Sequence, residues 1–482
     1  MDRRAFDRIQ TRRGFFTDCA GGIGAAALWH LFQQEGRAAT PQSLPSINPL
    51  ERKAPHFSPR AKNVIFLFME GAPSQIDLFD HKPELQKWDG QSLPESMRKN
   101  LRFAFIKPTA KVWASSRKFE RHGESGMEFS DYVPHLAARA DDICMVRSMF
   151  SEQFNHHPGQ LMMHCGSPLV GRPSMGSWTL YGLGSESQNL PGFVVLNSGS
   201  RGGFGSSGLF SNGFLPSMYQ GVPFASTGDP ISYLANPPGL GRQEQRARLD
   251  TIRALNEKRY SQTGDIEIAS RIASYELAFR MQSAAPELLD LSKESAATLS
   301  MYGADEEPTK QFAANCLLAR RMVERGVRFV LLTHSTWDDH SGLLGGHKKN
   351  CQIVDKPCAA LIQDLKQRGL LKDTLVVWGG EFGRTPLAQT LMPGQESALG
   401  RDHHPDAFSM WLAGGGIKPG QTIGRTDDLG MHVVEDKVHV HDLHATILHC
   451  LGLNHQQLTF RHQGRDFRLT DVAGEVVQKL LA

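Results

Sequence analysis

The sequence lacks a charge imbalance. Its 53 Lys and Arg residues are nearly matched by 50 Asp and Glu residues, so 482 residues carry a formal net charge of only +3. Proteins that attract nucleic acid or membrane surfaces through their electrostatic field carry a large excess of one sign. The composition therefore predicts no nucleic-acid partner.

Long apolar runs are also missing. The stretch at residues 20–32 is mildly apolar, but it is too short and too rich in glycine to cross a bilayer. No other segment reaches the length of a membrane span, so the sequence predicts no stable membrane span.

Cysteine is scarce, with 7 residues, and no two of them have the Cys-x-x-Cys spacing of a zinc knuckle. Apart from Cys19, which lies near the N-terminus, the cysteines could pair in many ways, and the sequence does not choose among them. We expect most of these six to be small core residues. They are Cys144, Cys165, Cys316, Cys351, Cys358 and Cys450.

The N-terminus resembles a twin-arginine export signal. An arginine pair and two phenylalanines at residues 12–16 are followed by the mildly apolar stretch and by Ala38 and Ala39, where a peptidase could cut. The alternative is an amphipathic helix with a chance arginine pair. The export interpretation predicts a signal at residues 1–39, a linker at 40–60 and the twin-arginine export machinery as a partner. It also predicts that the protein is periplasmic or secreted.

The pattern of residues 61–482 predicts one α/β domain. Continuous apolar runs indicate strands buried on both faces, as in a parallel sheet. They occur at residues 63–68, 193–196, 327–332, 374–378 and 408–412. Helical patterns lie between several of them, for example at residues 354–367, just before Gly369. This alternation predicts a doubly wound, mostly parallel sheet flanked by helices.

The middle of the chain differs from the rest. Residues 197–245 are rich in Gly, Ser and Pro and show no strong period, which predicts a long loop-rich insertion. A helical pattern follows at residues 243–292.

Acidic residues and histidines gather beside the predicted strands. In open parallel sheets, ligand sites form beyond the carboxyl ends of the strands. The segments at residues 70–77, 333–342, 379–386 and 400–405 lie next to predicted strands, and most of them are rich in Asp, Glu and His. This concentration predicts a functional site at one edge of the sheet.

Asp338, His340 and His403 are the leading candidates for metal ligands. A divalent ion of the zinc or manganese kind takes imidazole nitrogen and carboxylate oxygen together. If these residues bind one ion, their ligand atoms must lie within about 5 Å of one another. Second candidates, either as ligands or as groups that orient the imidazoles, are Asp402, Asp339 and Glu381. For these three, the alternative is an ordinary loop or turn position.

Other polar residues suggest contacts with an anion. Arg384 and Arg401 could bind an anionic group of a substrate through forked hydrogen bonds. Asn155, His156 and His157 precede a predicted helix at residues 160–164, and the first N–H groups of a helix suit either anion binding or a simple cap.

A third group of histidines has a simpler interpretation. His439, His441 and His444 surround a predicted helix start with Asp442 near the N-cap. We expect these three histidines to be structural.

Several motifs together resemble the DUF1501 family over nearly the whole chain. They are the arginine-pair leader and residues 71–80 (GAPSQIDLFD), 337–341 (WDDHS), 381–386 (EFGRTP), 400–403 (GRDH) and 442–448 (DLHATIL). That family is placed with the alkaline phosphatase and sulfatase superfamily. The resemblance implies a doubly wound sheet with metals at the strand ends.

The resemblance also implies site residues. A divalent metal ion (zinc, manganese or calcium) would be held by Asp338, His340 and His403. Glu70 stands where the second metal site of the superfamily begins with an aspartate, and Phe382 stands where that site has a histidine.

The nucleophile position falls near His156 and His157, which offer no hydroxyl or thiol. The catalytic candidates are His156 and His157, which stand near this position, and Arg384, which could bind the anionic group of a substrate. The implied activity is hydrolysis of phosphate or sulfate esters, of small molecules or polysaccharides, through a metal-bound water. The alternative is a non-catalytic envelope protein that binds a metal or a glycan.

Overall fold

The computed structural model describes residues 48–98, 103–107, 109–199, 207–225, 231, 234–389 and 398–482. All of them lie in one compact unit, Ile47–Ala482. The predicted signal at residues 1–39 and the first part of the predicted linker, residues 40–47, lie outside the described residues.

The described residues form strands and helices in alternation. The strands are β1 (Asn63–Met69), β2 (Phe119–His122), β3 (Met127–Ser130), β4 (Ile143–Phe150), β5 (Phe193–Ser198), β6 (Val222–Phe224), β7 (Phe329–His334), β8 (Thr374–Gly379), β9 (Gly383–Gln389), β10 (Gly400–His404), β11 (Phe408–Ala413), β12 (Gln421–Ile423), β13 (Arg425–Thr426), β14 (Val433–Glu435), β15 (Val438–His439), β16 (Phe460–His462) and β17 (Arg465–Phe467). The α-helices are α1 (Gln75–Leu78), α2 (Leu85–Trp88), α3 (Glu95–Arg98), α4 (Pro134–Ala137), α5 (His156–Cys165), α6 (Met175–Leu183), α7 (Arg242–Thr263), α8 (Ile266–Leu289), α9 (Ala296–Tyr302), α10 (Lys310–Glu324), α11 (Leu343–Gln367) and α12 (Val440–Cys450).

The central sheet, within the described part of the chain, has nine strands. Their order is β12-β4-β11-β8-β1-β7-β5-β6, with β15 beside β4. β1 pairs in parallel with β7 and β8, and β5 pairs in parallel with β6 and β7. β11 runs antiparallel to both of its neighbours, β4 and β8. The sheet is therefore mostly parallel, and helices flank it, which confirms the predicted fold class.

β1 shows why continuous apolar runs belong at the centre of this sheet. All of its residues are buried. Its odd-numbered residues from Ile65 to Met69 pack in the core that contains α10 and α11. Its even-numbered residues from Val64 to Phe68 pack in the core that contains α5, α6 and α12. Because both faces are covered, an alternating polar residue would have no contact with water.

The five predicted strands are present as β1, β5, β7, β8 and β11. The apolar-run criterion misses β4, because Arg147 and Ser148 interrupt its apolar sequence. The helix predicted at residues 354–367 is the C-terminal part of α11, which begins at Leu343. The helical pattern at residues 243–292 consists mainly of two helices, α7 and α8, divided at Gly264 in a left-handed conformation.

In the Gly/Ser/Pro-rich range 197–245, the described residues include two short 3-10 turns, Gly208–Phe210 and Ser217–Tyr219. They also include β6, which lies at the edge of the central sheet beside β5. The sequence pattern of this range contains no signal for that strand.

The six cysteines of the described residues are all buried, and none of them forms a disulfide. Burial raises the pKa of several of these thiols, including Cys144 and Cys165, to about 12. Their prediction as core residues is confirmed.

Among the described residues, no helix combines the length and the apolar character that crossing a membrane requires.

Candidate metal centre

Four side chains meet at the edge of the sheet where the parallel strands end. Asp338 and His340 lie in the loop that follows β7, and His156 is the first residue of α5, which follows β4. His403 lies in β10, just before β11. Because β11 is antiparallel, its first residues pair with the last residues of β4, so β10 reaches the same edge. Segments far apart in the sequence are thereby brought together.

The ligand atoms of these four side chains, here named the His-Asp cluster, lie within 4.8 Å of one another. Asp338 Oδ1 is 3.1 Å from His156 Nε2, 2.9 Å from His340 Nε2 and 3.4 Å from His403 Nε2. The expected convergence of Asp338, His340 and His403 is confirmed, and His156 joins them. The Asp338 side chain is 38% exposed, so the cluster opens to solvent.

Each imidazole of the cluster is oriented through its other ring nitrogen. The Nδ1 atoms lie 2.6 Å from an acceptor, which is Glu381 Oε1 for His156, Gln389 Oε1 for His340 and the Phe154 carbonyl for His403. A carboxylate and a carbonyl can only accept, so each Nδ1 carries a hydrogen. Metal-binding histidines are commonly held in this way, which fixes the tautomer and the direction of the ligand atom.

This orientation directs Nε2 lone pairs toward one point. Nε2 of His340 and Nε2 of His403 are 2.9 Å apart. With both Nδ1 atoms protonated, two lone pairs would face each other at that distance and repel. A proton or a cation between the rings removes this repulsion. The arrangement therefore fits a bound cation beside the carboxylate of Asp338.

The donor set also indicates the kind of cation. Three imidazole nitrogens and one carboxylate oxygen suit zinc and manganese, which accept mixed nitrogen and oxygen ligands. Calcium takes oxygen ligands. The cluster thus favours a transition metal or zinc over calcium, which the sequence had left as an option.

The side chains of the cluster shift one another's pKa values. Burial lowers the pKa of His156, but hydrogen bonds to Asp338 and Glu381 outweigh burial and raise that pKa to about 9. Burial would raise the pKa of Asp338, but the three imidazoles and Arg384 hold it well below its usual range. For His403, burial prevails and lowers the pKa to about 4. A cation that binds here would displace the proton held by His156.

Arg384 is fully buried behind the cluster. Its guanidinium donates to Asp338 Oδ1 at 2.6 Å and to the carbonyl oxygens of Gly71, Ala72 and Arg401. These bonds fasten Asp338 to the turn that follows β1. Binding of a substrate by Arg384 stays a prediction.

Glu381 and Asp402 lie near the cluster but are not among its four residues. Glu381 is buried and orients His156, which is one of the two roles predicted for it. Asp402 is fully buried, and its Oδ2 accepts the backbone N–H groups of residues 104–106. Neither side chain supplies one of the four converging ligand atoms.

Other predicted candidates lie outside the cluster. His157 is exposed on α5. Asp339 Oδ2 is 2.7 Å from Nδ1 of the buried His347. Arg401 forms a fully buried ion pair with Asp77, with Nε and Oδ2 2.8 Å apart. Anion binding by His157 and Arg401 stays a prediction.

The positions that the resemblance assigns to a second metal hold a different arrangement. Burial and the neighbouring Glu381 raise the pKa of Glu70 to about 7, and its Oε1 accepts from Gln160 at 3.3 Å. Phe382 packs its ring on His403, with ring centroids 4.6 Å apart. In the part of the chain that the structure describes, the His-Asp cluster is the only group of three or more His, Cys, Asp or Glu placed to hold a metal ion.

The C-terminal histidines are structural, as predicted. At the start of α12, the side chain of His439 accepts a hydrogen bond from the N–H of His441, and the carboxylate of Asp442 accepts one from the N–H of His439. His444 is fully buried and bonds to the Met163 carbonyl at 2.7 Å. The capping residue is His439, and Asp442 occupies the third helical position.

Sequence reasoning does not place His156 among the candidate metal ligands. The candidate segments lie next to predicted strands, and β4 is not among those strands. Recognition of β4 would have added residues 151–157 to the segments at the strand ends. Gln389 and the Phe154 carbonyl carry no comparable sequence signal, because only the folded chain brings them to an imidazole.

Fold and cluster together define a class of protein: an α/β protein whose mostly parallel sheet carries, at its carboxyl edge, three imidazoles and a carboxylate that could hold a metal ion. The model of the family described as "Protein of unknown function (DUF1501)" matches residues 61–481. The chain belongs to this family. No curated protein matches it.

Solved structures with a similar fold include three enzymes. The alkaline phosphatase from the Antarctic bacterium TAB5 is 11% identical, with 82% of this chain and 99% of that chain covered and a TM-score of 0.32. The lipoteichoic acid synthase LtaP from Listeria monocytogenes is 12% identical, with coverage of 88% and 79% and a TM-score of 0.35. The PsFucS1 sulfatase from Pseudoalteromonas sp. is 11% identical, with coverage of 82% and 68% and a TM-score of 0.32. At these scores, function has to be judged from this chain's own residues.

Proposed function

We propose that this protein is an exported, metal-dependent hydrolase that acts on phosphate or sulfate esters. The observation that carries the proposal is the convergence of three imidazole nitrogens and the Asp338 carboxylate within 4.8 Å. Export rests on the arginine-pair leader, and it would make the protein periplasmic or secreted.

The residues of the cluster would divide the work. His156, His340, His403 and Asp338 would hold the ion, which when bound polarises an ester oxygen and lowers the pKa of a coordinated water. Glu381 keeps His156 in the required tautomer. The partial exposure of Asp338 leaves a path by which a substrate can reach the centre.

A second candidate function is binding without catalysis, of a metal or a glycan, in the cell envelope. Four protein ligands are the complement of a closed structural zinc site, whereas catalytic zinc sites keep one position open. His156 also occupies the place where a nucleophile would be expected, and it turns inward to the cluster. These features favour the non-catalytic alternative.

Metal analysis of purified protein, paired with a panel of aryl phosphate and sulfate esters, separates the two functions. Asp338→Asn and His403→Ala should each lower metal content and turnover together, because each removes a ligand. Stoichiometric metal without turnover supports the non-catalytic function. Protein that holds no metal, although it was purified without any chelator, contradicts both the hydrolase and the metal-binding form of the second function.

A further inference from the structure

Two exposed phenylalanines lie beside the His-Asp cluster. Phe105 is 59% exposed and Phe154 is 44% exposed. The Phe105 ring stands edge-on to His340 and His403, with ring centroids 5.8 and 5.3 Å apart. Phe154 supplies the carbonyl that orients His403. When a ligand covers an exposed aromatic side chain, apolar surface is removed from water, which favours binding. The place of these two side chains at the border of a polar centre therefore points to a ligand.

Asp402 fixes the position of Phe105. Its Oδ2 accepts the backbone N–H groups of Ala104 at 3.0 Å, Phe105 at 2.9 Å and Ile106 at 3.3 Å. A fully buried carboxylate is costly unless it is hydrogen-bonded, so these three bonds hold the segment firmly. Asp402 precedes His403 in β10, and one strand thus supplies both a ligand and the anchor of Phe105.

The geometry leaves part of the Phe105 ring available to a ligand. Its edge-on contact with the two imidazoles occupies one side, and more than half of the residue remains exposed. An aromatic ring on a ligand could stack or pack edge-on there, and such contacts favour binding by about two- to tenfold. A small anion without a ring would gain nothing from Phe105.

We propose that Phe105, positioned by Asp402, makes the centre selective for oxyanion ligands that carry an aromatic ring. Phe105 is the specificity-determining residue, and Asp402 is a positioning residue. The inference rests on the proposed function, because the oxyanion is to be held by the metal ion of the cluster.

Calorimetric titration of zinc-loaded protein with phenylphosphonate and with methylphosphonate tests this selectivity. Wild-type protein should bind phenylphosphonate about fivefold more tightly. Phe105→Ala should bring the two dissociation constants together, and Phe105→Trp should preserve the preference. Phe57→Ala is a matched control, because Phe57 is 37% exposed and packs on His449, but it precedes β1 and so lies at the opposite edge of the sheet.

The role of Asp402 is tested by the same ratio of dissociation constants. Asp402→Asn should reduce the preference, and it should have no further effect on the ratio in Phe105→Ala protein. Melting temperatures show whether each variant is folded.

A preference that survives Phe105→Ala, or zinc-loaded protein that binds neither phosphonate, overturns the selectivity alone. Protein that takes up no metal overturns the proposed function and this inference with it.

Discussion

At the scale of single residues, the cluster depends on the groups that orient its imidazoles. His340 and His403 point their Nε2 atoms at each other because Gln389 and the Phe154 carbonyl hold their Nδ1 atoms. The type and position of Asp338, His340 and His403 could be predicted, because they follow or precede continuous apolar runs. Their orienting partners could not be predicted, because amide side chains are frequent in the sequence and every residue has a backbone carbonyl.

The neighbouring histidines at the start of α5 give a sharp test at this scale. His156 lies in the cluster, whereas His157 is exposed. We expect His156→Ala to weaken metal binding by at least about tenfold, because even loss of a group that only orients a ligand costs that much. Competition with a metal indicator measures the affinity.

His157→Ala serves as the control and should leave the affinity unchanged. Equal losses in the two variants would mean that the start of α5, and not the imidazole of His156, is responsible.

At the scale of elements, the centre depends on two turns that touch. Gly71, after β1, has a φ of +109°, and a Cβ there would lie 2.6 Å from the backbone nitrogen of Asp338. Arg384 binds the same turn through the carbonyl of Gly71. The close approach explains why this position has no side chain.

Gly71→Ala should therefore destabilise the protein and also weaken metal binding, since the added methyl group displaces Asp338. Gly90→Ala is the matched control, because Gly90 has a φ of +73° and an added Cβ meets no atom within 4 Å outside Gly90 and its two chain neighbours. It should lower the free energy of unfolding by only about 1–2 kcal/mol. Urea unfolding and metal titration of both variants check this. A Gly71→Ala protein that loses no more stability than Gly90→Ala and keeps its metal affinity would refute the steric explanation.

Most central strands could be predicted because they are apolar without interruption. β1, β7 and β8 are buried on both faces, so almost every position needs an apolar residue. β4 fails this criterion at Arg147 and Ser148, and β6 is too short to produce a pattern. Because β4 is missing from the predicted strands, His156 is named as a catalytic candidate and not as a candidate metal ligand.

At the scale of the whole molecule, the cluster connects distant parts of the chain. Its ligands come from α5, the loop after β7, and β10, so an ion bound by all four would tie these elements together. Unfolding separates these side chains, so an ion bound by all four would stabilise only the folded state.

Removal of the metal should lower the melting temperature. With free metal at about 100 times its dissociation constant, binding contributes about 2.7 kcal/mol to the free energy of unfolding. Calorimetric scans with and without chelator measure the shift. Asp338→Asn protein should respond much less to chelator, and an equal response would show that the chelator acts elsewhere.

The most direct test of the central claim is a crystal structure recorded at the absorption edge of the metal that elemental analysis identifies. We predict an anomalous peak at roughly 2 Å from the Nε2 atoms of His156, His340 and His403 and from a carboxylate oxygen of Asp338. A peak at a metal ion held by other residues, or no peak in protein purified without any chelator, would contradict the assignment of these four side chains as a metal centre.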